Sequence, residues 1–244
     1  MGVRSAPVTR VGRATWFVLV GAAALALALG PTLAAGSTST GSASSVRPHP
    51  FVESHISVAD LPIPPTTAEC QALFGLNCYQ PAQMRKAYNL QPLYNAGLIG
   101  AGRTIVIVDS FGSPTIEHDL HVFDSTFGLP DPPSFKIIQP AGPVPPFDPS
   151  AFNGDEVGWG QETSLDVEWS HAIAPGANIL LVETPTDETE GVQGFPEMIK
   201  AENFVIDHNL GDVISQSFGA TEETFPNKDA ILDLRSAFKN GSAS

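Results

Sequence analysis

Two apolar patterns alternate along the chain. RTIVIVD (103–109), FKIIQ (135–139), ANILLVE (177–183) and GDVISQSFG (211–219) read as strands, the first and third as near-continuous apolar runs buried on both faces. Helical spacing fills the stretches between them. MRKAYNLQPLYNAG (84–97) predicts a helix ending near Gly97. Ser113, followed by Pro114, caps a helix running to about Phe127. Further helices are predicted over 160–173, FPEMIKAENFVIDHN (195–209) and NKDAILDLRSAFKN (227–240). DPPSFKIIQPAGPVPPFDPS brackets the second strand with prolines and predicts a long surface loop after it. Strand and helix alternation implies an α/β fold: a doubly wound, mainly parallel sheet with helices on both faces. The pattern stops on a helix where such a sheet would continue with a strand, so the sheet reads as truncated.

The first residues do not fit that pattern. Arg4, Arg10 and Arg13 precede the apolar run TWFVLVGAAALALALG (15–30), and small residues follow near Ala34 to Gly36. This is the pattern of a cleavable signal peptide, which assigns 1–36 to a leader and the protein to the secreted, extracellular class. Residues 37–82 read as a linker and extension, beginning with the Ser/Thr/Gly-rich STSTGSASSVRPH and stapled by a Cys70–Cys78 disulfide. Without the three leader arginines, nine Lys and Arg face 26 Asp and Glu, a net charge of −17. Such a surface repels phosphate backbones, so nucleic acid is excluded as a partner. No membrane partner remains after leader cleavage, and the protein is expected to be a monomer.

GQETSLDVEWSHAI (160–173) carries the candidate chemistry. On a helical wheel Asp166 lies about 40° from Glu162, close to Ile173, Trp169 and Leu165. Both carboxylates therefore fall on the apolar face, with Ser164, Glu168 and His171 opposite and solvated. Two like charges at i and i+4 on a buried face are costly and respond by holding a proton. A pair sharing a proton titrates as a unit and suits general acid–base work at acidic pH. An amphipathic helix with both acids at its solvated edge is the plainer alternative. A glycosidase pair is disfavoured, because such acids normally flank the substrate from separate elements.

The surrounding residues resemble the sedolisin family, the serine-carboxyl peptidases of subtilisin-like fold. The likeness rests on PAQMRKAYNLQPLYNAGLIGAGRTIVIVDSFGSP (81–114), FGLP (127–130), GWGQETSLDVEWSHAIAPGANILLVE (158–183) and DVISQSFGATE (212–222), in that order. It implies that 83–244 is the N-terminal part of a peptidase catalytic domain. It implies further that Glu162 is the general base for a serine nucleophile and that Asp166 orients it. Ser217, Phe218 and Gly219 become the strand edge that pairs with the backbone of a polypeptide substrate. Asp109 reads as a structural acid or one standing behind the pair.

Two departures qualify that picture. The G-T-S motif of the nucleophile and the G-D-S-G motif of the oxyanion aspartate do not occur in the 244 residues. The chain is thus expected to be inactive alone, with a secreted, non-catalytic peptide-binding module as the rival reading. The family's calcium site belongs to the same absent part, so no cofactor is assigned here. Too few residues precede the cysteine staple for a folded pro-domain. His118, Asp119 and His121 offer two histidines on one helix face without an evident third ligand, so no metal is assigned.

Overall fold

The structure is a computed structural model that describes residues 64–148, 155–188 and 194–243. The leader (1–36) and the linker up to residue 63 lie outside the described residues. Four strands, β1 (Thr104–Ser110), β2 (Phe135–Ile138), β3 (Asn178–Thr184) and β4 (Val213–Gln216), form one sheet in the order β2-β3-β1-β4. Every pairing is parallel. The α/β class and the parallel sheet flanked by helices agree with the sequence reading.

Side chains alternate across the sheet, so each strand supplies two cores. Ile107, Ile179 and Leu181 face α4 (Ile116–Phe127) and α5 (Asp155–Ile173) and pack with Ile116, Leu120 and Val167. Val106, Val108, Leu180 and Val182 face α6 (Gly194–Asp207) and pack with Ala201 and Val205. This double burial is why β1 and β3 read as unbroken apolar runs.

Several boundaries differ from the sequence reading. A helix α1 (Thr67–Phe74) was not anticipated, although Thr66 and Glu69 form a capping box at its start. Its Cys70 is joined to Cys78 by a disulfide. The helix expected over 84–97 is two short ones, α2 (Pro81–Ala87) and α3 (Gln91–Asn95). Asn89 between them has φ 52°, a left-handed conformation that ends a helix, and Pro92 suits the first turn of the next. The last helix likewise divides into α7 (Lys228–Asp233) and α8 (Ser236–Gly241). The cap of α4 is Thr115 rather than Ser113, and the Thr115 hydroxyl donates to Asp119 at 2.6 Å.

The N-terminal helices secure the end of α5. Arg85 Nε donates to the carbonyl of Ala172 at 2.8 Å, and the Tyr94 hydroxyl to that of Ile173 at 2.7 Å. These are last-turn carbonyls without an intrahelical partner, and a guanidinium also suits the negative end of the helix. Replacing Ile107, fully buried in the α4–α5 core, by Ala is expected to cost about 2–5 kcal/mol of folding free energy, read by urea denaturation.

Candidate carboxylate site

The buried stripe of α5 is Trp159, Thr163, Val167 and His171. Its centre lies about 120° from Glu162 and about 80° from Asp166. The two acids therefore sit half-buried at the edge of the packed face, not in its middle. Leu165, expected inward, is 44% exposed.

Strand alternation supplies what the acids face. Ile105, Ile107 and Asp109 share the α5 side of β1, and Ile179, Leu181 and Glu183 share it on β3. Asp109 and Glu183 are register partners. On β4, Val213 and Ser215 pair with Ile105 and Ile107, so the same parity carries Ser217 to the α5 side. The site is thus the carboxyl end of the parallel sheet beneath α5, where Glu183 and Asp109 stand on β3 and β1 and Ser217 follows directly on β4.

The Ser217 hydroxyl stands beside both Glu162 and Asp166 and favours their ionised forms. A hydroxyl has one proton, so it can donate to only one of the two carboxyls. It accepts from the other when that one is protonated. Burial raises the pKa of Glu162, the charge of Asp166 raises it further, and the Ser217 bond lowers it. Asp166 is raised by burial and lowered by the same serine.

Asp109 is completely buried, and neither of its oxygens has a hydrogen-bond partner. Its pKa stands well above the ordinary carboxylate range. Burial is the main cause, followed by the charge of Asp166; the neighbouring Thr163 hydroxyl pulls the other way, and Glu162 and Glu183 add to the rise. Asp166 Oδ2 is also buried and partnerless. Ionised carboxylates are acceptors only, so such oxygens stay unsatisfied until one of them carries a proton. Among the described residues no Lys, Arg or His forms an ion pair with these acids. Protons are left as the means of relieving their repulsion.

The other residues of the SFG stretch go elsewhere. Phe218 packs against the α6-side core and lies 6.1 Å from the Phe195 ring. Gly219 is exposed, and a Cβ there would meet nothing within 4 Å. The reading of His171 as solvated is overturned: it is fully buried, its Nε2–H donating to the Pro130 carbonyl at 2.7 Å with Asp124 Oδ1 3.3 Å away. That pair ties α5 to α4. His121 instead meets Asp131 at 3.0 Å on the surface. Among the described residues no group of three or more His, Cys, Asp or Glu is placed to hold a metal ion. None of their helices is long and apolar enough to cross a membrane.

Sequence reasoning placed Asp109 too vaguely and missed Glu183 and Thr163. The signal for the two strand acids was the period of two in TIVIVDS and NILLVET. Each acid continues an inward row of isoleucine and leucine.

No protein-family model and no curated protein matches the chain. Among solved structures it is similar to Pseudomonas sedolisin, a serine-carboxyl proteinase, determined with two molecules of pseudo-iodotyrostatin. Identity is 22% and the TM-score 0.49, over 68% of this chain and 41% of that one. The chain thus spans about two fifths of that protein's length. The likeness is distant, and the chemistry of the site rests on its own side chains.

Raised carboxyl pKa values set the pH dependence of stability. Burial pushes Glu202 and Glu168 up to about 7 and Asp124 to about 6. Gln216 partly offsets the rise at Glu202, and His171 does so at Asp124, while the charges of Asp119 and Asp124 add to it at Glu168. A carboxyl whose folded pKa exceeds its unfolded one favours the fold below the unfolded value, and that contribution is lost as pH rises through the folded value. Exposed Glu69 and Asp212 are lowered and oppose the trend, but both are solvated. The thermal unfolding midpoint is therefore expected to fall steadily between about pH 4 and about pH 7. Calorimetry across that range checks the sign.

Proposed function

We propose that this chain carries the carboxylate half of a serine-carboxyl peptidase centre and belongs to an exported enzyme that hydrolyses peptide bonds at acidic pH. One observation carries the reading: Glu162 and Asp166, one turn apart on α5, lie half-buried beside the Ser217 hydroxyl at the carboxyl end of a parallel sheet. Ligands of open α/β sheets bind at that end.

In the proposed mechanism Glu162, ionised, accepts the proton of an attacking serine hydroxyl as the C–O bond to the substrate carbonyl forms. It returns that proton to the amine as the C–N bond breaks. Asp166 holds Glu162 in place and stabilises its protonated form. Asp109, buried behind Asp166, keeps a proton within the set. Ser217 spaces the two carboxyls and is not the nucleophile. Main-chain groups at Phe218 and Gly219 pair with an extended substrate. The fold leaves Gly219 in open space, so a requirement for a small residue there would come from the bound polypeptide.

The leader (1–36) directs export, 37–82 forms the stapled extension, and 83–244 contributes the acids. The 244 residues alone do not cleave peptides, because a G-T-S serine is not among them.

The test reads the gene beyond the Ser244 codon in all three frames and expresses the continuous product. That product is expected to contain G-D-S-G and G-T-S, and to digest denatured casein at acidic pH. Glu162→Ala is expected to lower kcat by about 10⁴-fold or more. A confirmed stop with nothing related downstream, or acid proteolysis indifferent to E162A, overturns the proposal.

A further inference from the structure

The site holds a fourth carboxyl that the mechanism above does not use. Glu183 is 6% exposed and stands beside Asp109 in the β1–β3 register, on the side away from β4. It is held from two directions. Gln139, just after β2, donates from Nε2 to Glu183 Oε2 at 2.8 Å. The other oxygen lies over the backbone of the turn leaving β1. A Cβ at Gly112 would sit 2.0 Å from Oε1 and 2.4 Å from Cδ of Glu183, so the carboxyl occupies the space a side chain there would need. Phe111 and Gly112 are both left-handed, with φ of 59° and 72°, so Phe111 is a non-glycine residue held in strained backbone beside this acid.

We propose that Glu183 is a positioning residue of the carboxylate site: oriented by Gln139 and seated against Gly112, it sets negative charge beside Asp109 so that Asp109 meets Asp166 as a hydrogen-bond donor. This deepens the peptidase reading and rests on it for its functional meaning. The geometry favours Asp109 over its neighbours as the proton holder. It is the most enclosed of the four and has no hydrogen-bond partner. The Ser217 hydroxyl can support one of Glu162 and Asp166 as an anion, and Gln139 supports Glu183. The groups facing Asp109 are Asp166, Glu162 and Thr163 from α5 and Glu183 from β3. The directions of titration agree: Asp109 is raised by burial first and by the three acids as well, while Gln139 offsets the burial of Glu183.

The experiment follows carboxyl ¹³C resonances of the 244-residue chain through a pH titration, with Asp109→Asn assigning the Asp109 signal. In Glu183→Gln the Asp109 midpoint is expected to move down, because the adjacent charge is gone. Gln139→Ala is expected to move it the same way by a smaller amount, because Glu183 without its donor is less readily ionised. A role in packing alone would leave that midpoint in place. An unchanged Asp109 midpoint in both variants, with native amide spectra, overturns the inference. If Glu183→Gln fails to fold, Gln139→Ala decides it, and no movement there overturns it. A shifted Asp109 midpoint with no proteolysis by the longer product would sink the peptidase reading and leave the electrostatic role of Glu183 standing.

Discussion

The Asp109 carboxyl occupies the inward position of β1 after Ile105 and Ile107, with the Thr163 hydroxyl as its neighbouring donor and neither oxygen in a formed hydrogen bond. A lone anion there would carry a desolvation cost of several kcal/mol. A proton removes most of that cost and turns the group from an acceptor into a donor. The arrangement around it follows from this constraint. Asp166 offers a partnerless oxygen, Gln139 donates to Glu183, and the Ser217 hydroxyl stands beside Glu162 and Asp166. In the proposed arrangement, acids on three separate elements form one titrating unit.

Helix α5 serves the fold and the site with different faces. Its packed stripe ends at His171, whose buried ring reaches Asp124 and the Pro130 carbonyl and so fixes α5 against α4. Arg85 and Tyr94 cap its last carbonyls. Held from both sides, the helix presents Glu162 and Asp166 at a fixed height above the strand ends. Acid–base chemistry needs that rigidity, because a proton-sharing contact tolerates little displacement. The same burial that makes the acids useful makes them costly at neutral pH, which couples the site's chemistry to the stability of its scaffold.

The sequence by itself determined the class of fold. Unbroken apolar runs in β1 and β3, separated by helical spacing, permit little except a parallel sheet covered on both faces. It also singled out Glu162 and Asp166, less by the helical wheel, which left a solvated-edge reading open, than by the resemblance of the surrounding residues to the sedolisin pattern. Tertiary structure decided the rest. A wheel gives angles between residues but not which sector meets the sheet, so it centred the apolar face on the acids and left His171 in water. Packing against β1 and β3 turned the helix by about a third of a revolution from that reading. The meeting of Asp109, Glu183 and Ser217 depended on strand order and register. Residues 109, 183 and 217 are far apart in the chain and become neighbours only because β1 lies between β3 and β4. Local pattern fixes what each segment becomes, whereas the cluster of acids at their ends exists only when the segments are brought side by side.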